Sequence, residues 1–186
     1  MNWGRIAKRI RVPLGFLFAV FFLWRAAPQW WSLAVGSAIA LIGVWIRAIA
    51  SGHVKKNEEL AITGPYAYTR NPLYFGSIVI ATGFALAALR WEIALALVIM
   101  FAIIYIPVIR GEEQFLSQHF FNYADYCARV PRLLPRLTPA ENQGGSGFSR
   151  ELYMKHREYN ALVGTLAVIA VLVLKLLLNP AGMGRQ

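Results

Sequence analysis

Acidic residues are scarce in this 186-residue chain: nine Asp and Glu stand against 19 Lys and Arg, for a formal net charge of +10. Charge of either sign is itself sparse, at 15% of residues, where an ordinary soluble domain carries about 25%. The single cysteine, Cys127, excludes a disulfide framework and a cysteine-built metal cluster. His53, His119 and His156 lie far apart and show no paired ligand spacing, so no metal site is expected. The first apolar stretch lacks a small-residue cleavage signal and is followed by further apolar stretches, so no cleavable leader is expected. No internal repeat is evident.

Apolar residues are abundant instead. They make up 58% of the chain, against about 45–50% in soluble proteins. A soluble domain of this size cannot bury so much apolar surface, so a bilayer must accept it. Five apolar segments are read as spans: Val12–Ala27, Trp30–Ala50, Leu73–Leu89, Trp91–Ile109 and Ala161–Leu178. The first and third fall shortest of the roughly 20 residues that a straight crossing needs. Pro28-Gln29 and Arg90 leave room only for tight turns, which predicts antiparallel hairpins between spans one and two and between spans three and four. The expected fold is all-α: one polytopic integral membrane bundle of about five transmembrane helices with polar motif segments.

Charge orients it. Arg5, Lys8, Arg9 and Arg11 precede span one; Arg47, Lys55, Lys56 and Arg70 flank the second polar region. Arg110, Arg129, Arg132, Arg136, Arg150, Lys155 and Arg157 populate the third. With five crossings all these fall on one face, opposite Arg25, Arg90, Lys175 and Arg185, and the positive-inside rule makes that face cytoplasmic. The basic excess is thus assigned to anionic lipid headgroups and not to nucleic acid. Asn142–Gly147 reads as flexible, giving a linker over 138–149, a core over 45–137 and an additional C-terminal helix over 150–180. Ser149–Glu158 is a polar helical lead-in to the last span.

Two segments carry chemistry. In the first, Gly64-Pro65 forms a turn, Tyr66 and Tyr68 follow at period two, and Arg70-Asn71-Pro72 opens span three. Asn71 is placed to cap that helix, whose N-terminus suits an anion, and Arg70 adds a charge-assisted donor. Tyr74 and Phe75 add aromatic surface. The same residues also suit a plain interfacial anchor. Gly76 and Gly83, with Ser77 and Thr82, either allow close helix packing or leave room for a ligand. In the second segment, Arg110-Gly-Glu-Glu113 follows span four directly. Two carboxylates at a membrane helix end either remain solvated or receive a cationic amine, with one pairing Arg110 or Arg70. Gln114–Cys127 is expected to form one amphipathic helix, and Arg129–Pro135 a proline-stiffened lid. His119 and Cys127 read as surface or packing residues; His53, near the end of span two, either packs there or faces the site, and His156 has no assigned role.

The ordered set Gly64–Gly76, Glu112-Glu113, Tyr123–Pro131 and Pro135 resembles the integral-membrane methyltransferases of the isoprenylcysteine carboxyl methyltransferase and phospholipid methyltransferase type, over roughly 45–137. The resemblance implies S-adenosyl-L-methionine as cofactor, held at the cytoplasmic mouth of a small bundle, and a lipid or lipophilic methyl acceptor. It implies cofactor contacts from Gly64, Pro65, Tyr66, Tyr68, Arg70, Asn71, Pro72, Tyr74, Glu112 and Glu113, and a catalytic group of Glu112, Glu113, Arg110 and Arg129. Asn71 stands where the carboxyl methyltransferase branch has histidine, and an asparagine cannot serve as cation or general base. That favours the phospholipid N-methyltransferase branch. A fainter resemblance to membrane sterol reductases rests on Tyr126-Cys-Ala-Arg-Val-Pro131 and would imply a nicotinamide cofactor; a non-catalytic scaffold is the remaining alternative.

Overall fold

The computed structural model describes residues 3–55, 59–140 and 147–178, with side chains in the first helix described from residue 13. Every regular element among them is helical: α1 Trp3–Arg25, α2 Trp30–Ser51, a single tight turn over Gly64–Ala67, α3 Pro72–Ala88, α4 Trp91–Met100, α5 Ile106–His119, α6 Tyr123–Arg129, α7 Arg150–Lys155 and α8 Tyr159–Leu178. A π-helical segment, Phe101–Tyr105, joins α4 to α5, so that one continuous helix runs over Trp91–His119. Three helices are long and apolar enough to cross a membrane: Trp30–Ser51, Trp91–His119 and Tyr159–Leu178. Pro13–Arg25 and Pro72–Ala88 are shorter apolar helices. The chain is thus an all-α, multi-spanning membrane bundle in which three of the five expected spans have the length to cross unaided.

The bundle is organised on α2 and α3, which run antiparallel and touch through glycines two turns apart in each helix. A Cβ on Gly83 would lie 2.5 Å from the Gly36 carbonyl oxygen and 2.6 Å from the Ala40 nitrogen. One on Gly43 would lie 2.7 Å from the Gly76 oxygen, and one on Gly76 2.9 Å from the Gly43 oxygen. A seven-residue spacing returns to the same helix face, so the two pairs form one groove in which the backbones meet. Gly76 and Gly83 therefore serve packing, the first of the two roles open to them in the sequence.

α8 packs on another side of α2. α1 does not fold back along α2 as its short connection suggested; it lies against α5 and the π segment. The reason is occupancy: α3 and α8 already cover α2, and the apolar face of α1 finds Phe84, Ala87, Ala88, Ile93 and Leu172 around Phe22 and Ala26. Between α3 and α4 the expected sharp reversal is present, with Leu89 in the left-handed conformation (φ 49°). At that end Arg25 pairs with Glu92, and Lys175 donates to the Leu23 and Trp24 carbonyls at 2.7 and 3.2 Å, closing the end of α1. Trp24, Trp30, Trp31 and Trp91 stand exposed around it, as interfacial tryptophans do.

Two expected boundaries move. The helix of span four continues through Arg110–Glu113, which therefore project from a helix and not from a following loop. The single amphipathic helix over Gln114–Cys127 is broken, because Phe120 turns extended and packs with Tyr123 and Tyr126. Most of the expected Asn142–Gly147 linker, residues 142–146, lies outside the described residues.

Replacing Gly83 with valine should cost about 1–3 kcal/mol through overpacking, read as a lower unfolding midpoint in detergent. Gly111→Ala, where a Cβ meets nothing within 4 Å, should be neutral or stabilising.

Candidate functional site

The first motif is a rigid loop at the end of the α2–α3 pair. Gly64 has φ +58° and faces the His53 ring so closely that a Cβ would sit 2.5 Å from its Cδ2 atom. Only glycine meets both demands. His53 is thereby a wall for the turn, with Nδ1 bonded to the Ile49 carbonyl at 2.8 Å. The chain from Val130 to Ala140 then returns across the loop as a strap. Arg70 N donates to Pro131 O (2.9 Å), Arg136 N to Tyr68 O (3.0 Å) and Ala140 N to Ala67 O (3.0 Å). Thr69 Oγ1 donates to the Arg132 and Leu133 carbonyls, and Tyr126 donates its hydroxyl proton to Tyr66 O at 2.8 Å. Asn71 occupies the cap position of α3, but its side chain makes no cap bond. Its amide nitrogen instead donates to Arg132 O at 2.9 Å. The strap takes the group that the helix end was expected to use.

Under the strap lies a buried ionic cluster. Arg132 holds Glu113 Oε2 at 2.7 Å, and Arg70 approaches Glu113 Oε1 at 3.4 Å. Arg70 also touches the Cys127 sulfur. Burial opposes the charge on Arg70, but Glu113, then Cys127 and Tyr123, outweigh it and raise its pKa further. Burial pushes the hydroxyls of Tyr66, Tyr123 and Tyr126 above the ordinary phenol range, so all three remain neutral hydrogen-bonding groups. Polar atoms here are buried and under-satisfied: Arg70 Nε has no hydrogen-bond partner, Glu113 Oε1 has only the 3.4 Å approach of Arg70, and Tyr123 OH has only the Cys127 sulfur beside it. Buried polar atoms are seldom left so.

The cluster forms one end of a cavity of about 370 Å³, within the range of small-molecule sites. Its wall is strongly aromatic, with Tyr66, Tyr74, Tyr105, Phe115, Phe120, Tyr123 and Tyr126. Tyr105 ends the π segment and meets Tyr74 edge-on at 5.6 Å. Pro107 explains the widened turn, since it lacks the amide hydrogen that a regular helix requires there. Glu112 lies one residue from Glu113 yet differs in setting: it is exposed and accepts from Tyr74 OH at 3.0 Å.

A family comparison decides how this arrangement is to be classed. The model of the family described as phospholipid methyltransferase matches residues 30–122, half of the chain. The chain belongs to the phospholipid methyltransferase family. The earlier resemblance is thereby fixed at this level, a membrane domain of the S-adenosylmethionine methyltransferase type, without assignment to the isoprenylcysteine branch. Two curated proteins are similar over 105 residues, 56% of this chain and 48% of each of theirs. One is a nickel-cobalt-cadmium resistance protein, NccN, of Alcaligenes xylosoxydans xylosoxydans, at 36% identity; the other is a cobalt-zinc-cadmium resistance protein, CzcN, of Cupriavidus metallidurans, at 33%. The similarity thus spans about half the length of these relatives. No solved structure matches. Among the described residues there is no group of three or more His, Cys, Asp or Glu placed to hold a metal ion.

Of the residues expected at a phospholipid methyltransferase site, Tyr66, Arg70, Asn71, Pro72, Tyr74, Glu112 and Glu113 line the cavity. Gly64, Pro65 and Tyr68 shape its loop without lining it. Arg110 and Arg129 are exposed and lie outside the lining, and Arg129 directs its Nε to the Asp125 carbonyl. Arg132, not Arg110, joins Arg70 on Glu113. His119 is exposed and stacks on Phe115 at 3.9 Å.

Arg47 and Glu158 escaped the sequence reading as site residues. Glu158 accepts from Arg47 Nε at 3.1 Å and from its NH2 nitrogen at 2.8 and 2.9 Å, and both residues line the cavity. The third nitrogen of Arg47 donates to the Leu73 carbonyl at 3.2 Å and to the Ser77 hydroxyl. One guanidinium therefore stitches α2, α3 and the start of α8. A lone arginine inside an apolar helix was the available signal; its partner, 111 residues away, was not. The segment before Glu158 is docked as well: Ser149 N donates to Gly52 O at 2.9 Å, and His156 Nδ1 meets Ser51 O at 3.1 Å.

Arg47→Ala should destabilise the protein by about 3 kcal/mol, because it leaves a largely buried carboxylate unpaired. Arg47→Ala with Glu158→Ala should recover part of that loss, read from unfolding midpoints of both variants.

Proposed function

We propose that this protein is an S-adenosylmethionine-dependent methyltransferase whose acceptor is a lipophilic molecule held in the membrane. The observation that carries this reading is a set of buried, under-satisfied atoms at the aromatic cavity: Arg70 Nε, which has no hydrogen-bond partner, Glu113 Oε1, which only Arg70 approaches, and Tyr123 OH, which has only the Cys127 sulfur beside it. Together they offer an anionic acceptor, a cationic donor and a hydroxyl. That is the complement of an α-amino acid, whose ammonium suits Glu113 and whose carboxylate suits Arg70 and Tyr123. The cofactor's amino-acid end fits there, with Asn71 and Pro72 beside it and the tyrosine faces available to a sulfonium and a purine. When bound, the cofactor supplies a methyl group already activated on sulfur.

The chain's own work is then alignment, exclusion of water and management of one proton. Glu113 is ill placed for the last task, being tied to two arginines. Glu112, exposed and bonded only through one acid oxygen to Tyr74, is the group to take a proton from an amine acceptor. Arg47 and Glu158 shape the wall on the α8 side. Arg110 and Arg129, at the surface, supply positive field to the mouth and not direct contacts.

The finer acceptor class is the amine of a phospholipid headgroup. It is supported by the family description, by Asn71 in place of a histidine, and by a carboxylate free to accept a proton. The same reading takes α1 and α3 as further crossings beside the three long helices, with the cavity end and the N-terminus cytoplasmic, as the positive-inside rule favours. It keeps 45–137 as the methyl-transfer core, 138–149 as the linker and 150–180 as a further helix that closes the site.

Calorimetric titration of the purified protein with S-adenosylmethionine, in detergent and in nanodiscs, tests it. Glu113→Gln should weaken binding about 10–100-fold, the worth of a charge-assisted hydrogen bond. Glu112→Gln should bind the cofactor nearly as well as the native protein and lower methylation of phosphatidylethanolamine by about 10²-fold or more. Failure of the native protein to bind the cofactor in either setting would retire the reading, and binding without lipid methylation would retire the acceptor class alone.

A further inference from the structure

The depth of the strap in the membrane follows from helix lengths. α3 has 17 residues, about 26 Å at 1.5 Å each, less than the hydrocarbon thickness of about 30 Å. Its C-terminal end lies beside the exposed Trp24, Trp30, Trp31 and Trp91, which mark headgroup level on that side. Pro72, at its other end, therefore comes within about 4 Å of the hydrocarbon edge in the opposite leaflet, and the polar residues just before it reach the headgroups. The strap is bonded to the residues just before Pro72: Pro131 O to Arg70 N, Arg132 O to Asn71 Nδ2, and Arg136 N to Tyr68 O. It shares their depth, which is that of the headgroups. The continuous helix of 29 residues over Trp91–His119 is about 43 Å long, so its last turns stand clear of the bilayer.

At headgroup depth the strap turns Leu134 and Leu137 outward, 74% and 99% exposed. Scattered exposed leucines need no explanation. These two, however, alternate with Arg132 and Arg136 and follow Arg129, and leucines interleaved with guanidiniums at this level match an anionic interface in both polarity and charge. The strap also reaches the site: the Arg132 side chain, 53% exposed, holds Glu113 at 2.7 Å while its carbonyl accepts from Asn71.

We propose that the strap is an interfacial anchor, seating Leu134 and Leu137 among the headgroups of an anionic leaflet and so coupling the bilayer surface to the covering of the cavity. The partner is a lipid surface. The inference needs the chain to span a membrane and does not depend on methyl transfer.

The test uses the full chain in nanodiscs of phosphatidylcholine with and without phosphatidylglycerol. Leu137→Cys, in a Cys127→Ser background, carries an environment-sensitive fluorophore; Gln118→Cys, exposed on the last turn of α5, is the aqueous control. The label at 137 should show blue-shifted emission, quenching by lipids doxyl-labelled near the headgroup, and loss of the iodide quenching seen at 118, with greater protection when phosphatidylglycerol is present. Iodide quenching equal to that at 118, without doxyl quenching, would overturn the proposal. Protection from both quenchers would mean that protein covers the strap, which also overturns it. Equal protection in both nanodiscs would remove the anionic preference. Should Cys127→Ser not fold, the pair Leu134→Ser and Leu137→Ser in the otherwise native chain is compared by native mass spectrometry. Loss of retained phosphatidylglycerol relative to the native protein supports the anchor, and unchanged retention overturns it.

Discussion

The backbone contact between α2 and α3 is the constraint on which the rest of the molecule depends. Gly36 with Gly83, and Gly43 with Gly76, bring the two helices so close that their registers are fixed. In lipid there is little hydrophobic force between helices, and close packing of small residues does the work that water does elsewhere. The register then places Arg47 opposite Leu73 and Ser77. It also places the Gly64–Ala67 turn against His53, so that the loop after it meets α3 at a fixed angle. A side chain at any of the four glycines would force the two helices apart, and at Gly76 it would also strike the Arg47 side chain, which lines the cavity.

Above this floor the site is assembled from polar groups that satisfy one another by crossing between segments. The strap uses carbonyls of Pro131, Arg132 and Leu133 to satisfy Arg70, Asn71 and Thr69. The adjacent glutamates are separated in role by one helical position: Glu113 turns inward to two arginines, and Glu112 turns outward to Tyr74. On the proposed reading, one holds the cofactor and the other faces the acceptor. The division is a consequence of the helix continuing past Arg110, since neighbours on a helix point about 100° apart.

Much of this is legible in the chain itself. Hydrophobic runs located the helices, and Gly64-Pro65 and Asn71-Pro72 marked a turn and a helix start. The expected clustering of motif residues at one end is seen in the cavity lining, while only three of the five spans it was argued from have full crossing length. What escaped has a common cause: it depends on partners remote in sequence. Asn71 reads locally as a cap, but Arg132 O is nearer to hand. Arg110 is the local arginine for Glu113, but Arg132 arrives from the strap. Arg47 announces itself as an intramembrane charge without announcing Glu158. The break at Phe120 likewise reflects packing against Tyr123 and Tyr126 more than any periodicity in the residues themselves.

Glu158 has a consequence beyond stability. The family match ends at residue 122, yet one wall of the cavity is made by a residue far beyond that point, on a helix attached through Arg47 and the end of α2. The grip proposed for the cofactor and the wall next to α8 thus belong to different parts of the chain, and a change at the α7–α8 junction can reshape one while leaving the other intact. On the proposed reading, exchanging the last helix would change what the scaffold acts upon and leave the cofactor grip in place, much as a lock is rekeyed by changing its cylinder and not its door.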